Sequence, residues 1–276
     1  PRPPLTAAPI AEAKDVTVVY RGGGIFSGGK STRAVDGLSI AIAPGEIVGI
    51  VGESGSGKST LARALLGVQP IAAGRITIGG DDIANARRAE LRAIRQRIQV
   101  VFQDPYGSLN PRHRVERVVA EPLHLLDRPL RKDRRKRVEE MLQRVGLTAA
   151  DADKFPHEFS GGQRQRIAIA RALILEPKVI VLDEAVSALD VTIRAQIIDL
   201  LRDLSDRLGL AYLFITHDLA VVRALADRVL VMQSGKVVEE GPVAQVFDTP
   251  KHPYTAALLE ASPNLEAALR KREAKP

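Results

Sequence analysis

Three apolar runs stand out along the chain. Ile47–Val51, residues 179–182 and Ala211–Ile215 carry almost no polar side chains. Runs of four or five such residues mark strands buried on both faces, as in a parallel sheet covered by helices. Further strand-like segments fall at residues 16–20, 38–42, 75–78 and 99–102. Elsewhere the apolar spacing changes to three and four, which predicts helices over 61–66 and 163–175. In 196–208, Ile197, Leu201, Leu204 and Leu208 share one side, and Gly209 supplies a helix stop. Residues 229–232 and 236–239 flank Ser234 and Gly235 and predict a hairpin. From Asp104 to Glu176 the pattern turns helical and polar, so the strand–helix alternation of an α/β core is interrupted there and resumes at Pro177. No repeat of 20–50 residues is evident.

Chemistry enters where the first buried run ends. Gly52, Glu53, Ser54, Gly55, Ser56, Gly57, Lys58, Ser59 and Thr60 form a G-x-x-x-x-G-K-S loop between a strand and a helix. The glycines permit a bend whose N–H groups face inward as an anion cradle, and the following helix N-terminus adds favourable partial charge. Lys58 is placed to reach terminal phosphates and Ser59 to put its hydroxyl on Mg²⁺. A glycine-rich surface turn with an accidental lysine is the alternative, and the flanking strand and helix disfavour it. The run 179–182 ends in Asp183 and Glu184, two carboxylates at a strand end. There Asp183 suits a metal held through water and Glu184 the polarisation of an attacking water, against the alternative of two solvated acids.

A second glycine stretch, Gly22 to Gly29, fits no dinucleotide-binding register and is expected to be a flexible hairpin loop. Ser160, Gly161 and Gly162 precede the helical run that starts at Gln163, so a hydroxyl and amides again point from a helix start.

With these motifs in order, the chain resembles the ATP-binding subunits of ABC transporters over about residues 15–263. The resemblance implies a P-loop NTPase core with an inserted helical subdomain and an antiparallel β subdomain. Its expected parts are a Pro-rich segment 1–14, a core of 15–103 and 177–247, a helical subdomain 104–176 and a tail 248–276. Tyr20 resembles the aromatic that stacks on adenine, Gln103 the glutamine that senses metal and water, and His217 the switch histidine at the γ-phosphate. Phe159 to Gln163 resemble the signature, which in the family contacts ATP held by the opposite subunit, and Ser187 to Asp190 the D-loop. Phe159 stands where leucine is more usual and Ala185 where proline often follows the acidic pair.

Residues 101–112 and 250–259, with His252, Pro253 and Tyr254, resemble the dipeptide, oligopeptide and nickel importer branch. That branch implies ATP with Mg²⁺, a second ATPase subunit that is a paralogue or an identical copy, two membrane-spanning permeases and an external solute-binding protein. Read from residues alone, the tail is a proline-stiffened turn and a short apolar helix.

Composition narrows this little. The 276 residues are 45% hydrophobic, enough for one core and an inserted subdomain. No apolar run reaches the length needed to cross a bilayer and Pro1 to Leu5 lack a signal-peptide design, which predicts a soluble, cytoplasmic chain; the resemblance implies a peripheral place at the cytoplasmic face of the inner membrane. The absence of cysteine excludes disulfides and thiolate metal sites. A net charge of +7 leaves anionic lipid and nucleic acid open as partner classes, with no nucleic acid expected from the resemblance. The densest basic run, Arg131 to Arg137, opens a helix-like segment with Val138, Met141, Leu142 and Val145 on a buried face. A nucleic-acid-directed ABC ATPase is the competing class. Against it, 104–159 is too short for the long coiled coils of chromosome-type relatives. A non-hydrolysing regulatory subunit would lack Glu184 or His217.

Overall fold

A computed structural model describes residues 8–21, 31–126 and 133–262. Two sheets share the chain. In the six-stranded sheet the order is β10-β9-β3-β8-β7-β6, with β3 (Ile47–Val51), β6 (Ile98–Val101), β7 (Val179–Asp183), β8 (Ala211–Ile215) and β9 (Arg228–Gln233) parallel and β10 (Lys236–Pro242) antiparallel to β9. The four-stranded antiparallel sheet has the order β2-β1-β4-β5, from β1 (Ala11–Arg21), β2 (Ser31–Ile42), β4 (Ala73–Ile78) and β5 (Asp81–Asp82).

The apolar runs serve two cores at once because side chains alternate along a strand. Val48 and Ile50 of β3, Val179 and Val181 of β7, and Leu213 and Ile215 of β8 face the antiparallel sheet and α1 (Lys58–Leu65), where they meet Val16, Ile40, Leu61 and Ile76. Ile47 and Val51, Ile180 and Leu182, and Tyr212 and Phe214 point the other way. There they meet α6 (Gly161–Leu173), α7 (Val191–Leu208), α8 (Leu219–Leu225) and α9 (Val243–Asp248). Phe214 and Tyr212 are fully buried. Removing the Phe214 ring would cost about 3–5 kcal/mol.

The strand–helix alternation is interrupted where expected. After α2 (Arg88–Arg97) and β6 come α3 (Pro105–Ser108), α4 (Val115–Val119) and α5 (Arg134–Arg144), all before α6. Val138, Met141 and Leu142 of α5 are buried, and Arg135 on its outer side bonds Glu139 and Asp153. The basic run is therefore a solvated helix face laced to local carboxylates, and its first members, Arg131 and Lys132, lie outside the described residues. The glycine stretch at 22–29 also lies outside them, while the strands it joins pair up to Arg21 and Ser31.

Several boundaries differ from the sequence pattern. β1 begins at Ala11, inside the segment read as an N-terminal extension, and shifts register at Asp15, whose φ of 50° forms a bulge that breaks the alternation. α7 starts at Val191, five residues early, because the Asp190 side chain caps it. β6 stops at Val101, leaving Phe102 and Gln103 beyond the strand. The hairpin of β9 and β10 turns at Ser234 and Gly235, with φ of 48° and 84°. α10 (Pro253–Glu260) closes the described chain.

Candidate functional site

The phosphate loop runs from β3 into α1, and two of its glycines are fixed by close backbone approach. A Cβ on Gly52 would sit 2.2 Å from the Met232 carbonyl oxygen, and one on Gly57 would sit 2.2 Å from that of Ala34. At φ of 151° and 108° both also hold angles that side chains disfavour. The loop is thereby pressed against β2 and β9.

Lys58 is buried and folds back on its own loop, donating to the carbonyls of Gly52 at 2.7 Å and Glu53 at 2.8 Å. Burial holds its ammonium below the ordinary lysine range, against the pull of Glu184, Asp183 and Glu53. Ser59 Oγ donates to Asp183 Oδ1 at 3.1 Å, which joins the start of α1 to the end of β7. Burial raises the Asp183 carboxyl above its usual range in spite of that bond, and the neighbouring Glu184 adds to the rise.

Glu184 stands one residue past the strand at φ 51°, a left-handed angle uncommon for a side-chain-bearing residue. Three bonds hold the turn: its N–H donates to Ile215 O at 2.8 Å, and its carbonyl accepts from Ser187 N–H and Ser187 Oγ. The turn aims the carboxylate at His217, whose Nδ1 is 3.5 Å from Oε1. His217 is largely exposed. On the other flank Tyr20, partly exposed, reaches Thr60 Oγ1 with its hydroxyl at 3.4 Å, so its ring stands beside the start of α1.

Not all the expected residues converge. Gln103 is exposed beyond β6, and no described residue hydrogen-bonds it. Asp190 caps α7 by accepting from Ile193 N–H at 2.9 Å. Ser160 and Gln163 form a capping box at the start of α6, with Ser160 N–H on Gln163 Oε1 at 3.0 Å and Gln163 N–H on Ser160 Oγ at 3.4 Å. Ser160 is exposed, and no hydrogen bond or ion pair links residues 160–163 to residues 52–60 among those described. Gly162 is needed for packing: a Cβ there would meet Ile193 Cγ2 at 2.5 Å. Phe159 and Ala185 are both buried, so each departure from the family pattern sits in apolar surroundings.

Sequence reasoning missed Arg194. It pairs with Asp218 at 2.6 Å and donates to the carbonyl of Leu189 at 3.0 Å, while Asp218 caps α8 beside His217. Arg194 thus ties residues 187–190 to the histidine loop.

Residues 35–187 match the family model described as ABC transporter, and residues 238–276 match the oligopeptide/dipeptide transporter C-terminal region. The chain is 53% identical over 232 residues to a peptide import ATP-binding protein of Brucella abortus, covering 84% of this chain and 70% of that one. It is 47% identical over 253 residues to the dipeptide transport ATP-binding protein DppF of Haemophilus influenzae, covering 91% and 77%. Among solved structures it resembles the ATP-binding cassette MJ0796, a dimer bound to ADP and Pi, with a TM-score of 0.73 and 31% identity over 84% of this chain and 98% of that one. With the phosphate loop, the acidic pair and the histidine gathered at the carboxyl ends of the adjacent strands β3, β8 and β7, these likenesses place the chain in the ABC transporter family as an ATP-hydrolysing, ATP-binding subunit.

Proposed function

We propose that this chain is one of two ATPase subunits that power uptake of di- or oligopeptides through a pair of membrane-spanning permeases, fed by an external solute-binding protein. The observation that carries this is the division of the phosphate-binding groups. One helix N-terminus, at Lys58, is tied into its own loop and to Asp183, whereas the other, at Ser160, is exposed and unconnected to it in the same chain. A head-to-tail pair brings each loop against the other subunit's signature. The dimeric MJ0796 cassette and the peptide-import names of the relatives support that reading.

In the closed pair Tyr20 would stack on adenine, and residues 52–60 would hold the phosphates with Lys58 turned from its own carbonyls toward them. Asp190, Ser160, Gly161, Gly162 and Gln163 would complete the site from across the interface. Ser59 and Asp183 offer two oxygen donors at one point, a set that suits Mg²⁺, which keeps several waters; Gln103 would join from its exposed place. The ion, when bound, would neutralise developing phosphate charge. Glu184 would take the proton of the attacking water and His217 would steady the γ-phosphate. Nucleotide binding then favours the closed pair over the open one and hydrolysis reverses that preference, which drives the permeases through the region from Gln103 to Asn110.

Among the described residues no helix is long and apolar enough to cross a membrane, consistent with a peripheral place at the cytoplasmic face of the inner membrane. The proposed units are 15–103 with 177–247, 104–176 and 248–276, the first extended back to Ala11 by β1. Gentle detergent extraction of cells carrying a tagged Glu184→Gln chain with ATP tests the assembly. Two multi-span permeases and a second ATPase, paralogue or copy, are expected. Nucleic acid or ribosomal material without membrane proteins would overturn the reading.

A further inference from the structure

We propose that Tyr254, in the C-terminal tail, is a positioning residue for the phosphate loop, so that the tail sets how tightly the chain holds nucleotide. The proposal rests on the nucleotide site described above. The Tyr254 hydroxyl oxygen accepts a hydrogen bond from the Glu53 N–H at 3.0 Å, across 201 residues of sequence. That N–H belongs to the peptide group joining Gly52 to Glu53, and the carbonyl of the same group is the one Lys58 Nζ grips at 2.7 Å. One peptide plane at the mouth of the loop is thus held at both ends, by the catalytic lysine on one side and by the tail on the other.

The consequence appears when Lys58 turns toward phosphate. The Gly52 carbonyl then loses its strongest partner, and Tyr254 is the side chain that still fixes the plane and with it the direction of the following amides. The tail is itself anchored for this. Glu239 of β10 accepts from the N–H groups of Lys251 and His252 at 2.8 and 3.0 Å, the His252 ring caps α10 by accepting from Tyr254 N–H at 3.2 Å, and Tyr254, Leu258 and Leu259 pack on the larger core. Pro253 at the first helical position fixes the entry angle. A mere packing appendage would bury its apolar side chains without placing a hydroxyl on a loop amide.

The test is Tyr254→Phe in the full chain, which keeps the ring and removes only the acceptor, run beside Lys58→Ala. ATP affinity is read by titration, melting by heat, and exchange of the Glu53 amide by NMR. Expected are ATP binding weaker by about two- to tenfold, the worth of one neutral hydrogen bond, faster exchange at Glu53, and a turnover rate at saturating ATP close to that of the unaltered chain. Unchanged affinity and unchanged Glu53 exchange, with or without a lower melting temperature, would reduce the tail to packing and overturn the proposal. Should Lys58→Ala keep full ATP affinity, the nucleotide-site reading itself would fall instead.

Discussion

Two helix N-termini in this chain carry the same device and stand in opposite conditions. At α1 the loop is pinned to β2 and β9 at Gly52 and Gly57, its lysine is buried and bonded inward, and Ser59 is tied to Asp183. At α6 Ser160 and Gln163 bond each other and are exposed, while Gly162 packs on Ile193. A helix N-terminus attracts anions in either setting. What differs is enclosure: Lys58 at the first is buried, whereas Ser160 at the second is exposed. In the proposed pair each half would complete the other, so that a second subunit could switch the site.

The sharpest way to break the contrast acts on the buried side. Glu184→Gln removes the proton acceptor and leaves the loop intact, so turnover should fall by roughly 10²–10⁴-fold with ATP binding retained. Undiminished steady-state hydrolysis would take Glu184 out of that role. Next in size, Gly57→Ala puts a Cβ 2.2 Å from the Ala34 oxygen at a positive φ. A stability loss of about 2–5 kcal/mol and loss of ATP binding are expected, checked by denaturant unfolding and nucleotide titration.

On the exposed side, Gly162→Ala meets only the Ile193 side chain, which yields more readily than backbone. Its cost should be about 1 kcal/mol and should shrink when Ile193 is also cut to alanine, a double-mutant cycle that separates packing from phosphate contact. The smallest effect sharpens the electrostatics. Because burial raises the Asp183 carboxyl, its charged form opposes folding above that raised range. Asp183→Asn should therefore melt at a higher temperature than the unaltered chain at neutral pH, hydrolyse poorly, and lose its advantage as the pH falls below the ordinary carboxylate range. An unchanged melting difference across that range would contradict the burial argument.

Much of this was legible from residue order. The three apolar runs became β3, β7 and β8 because strands buried on both faces need no polar positions. The phosphate loop was equally plain, since its glycines answer to local backbone geometry. Less legible were features set by distant contacts. β1 was read short because Lys14 and Asp15 interrupt its pattern at a bulge, although the strand continues to Ala11. Asp190 gave no sign that its side chain would start α7, and Arg194 looked like any helix arginine. Tyr254 marked a family branch in sequence, while its bond to Glu53 depends on a fold that brings the tail to the phosphate loop.

The most direct test of the divided site asks which subunit loses its nucleotide when the exposed half is spoiled. A tagged chain carrying Ser160→Arg and Glu184→Gln would be paired with an untagged ATPase subunit and exposed to a photoreactive ATP analogue. Labelling should fall on the untagged partner and persist on the tagged chain, whose own Lys58 loop is intact. Loss confined to the tagged chain would mean that Ser160 serves the loop of its own subunit, and the divided site would be wrong.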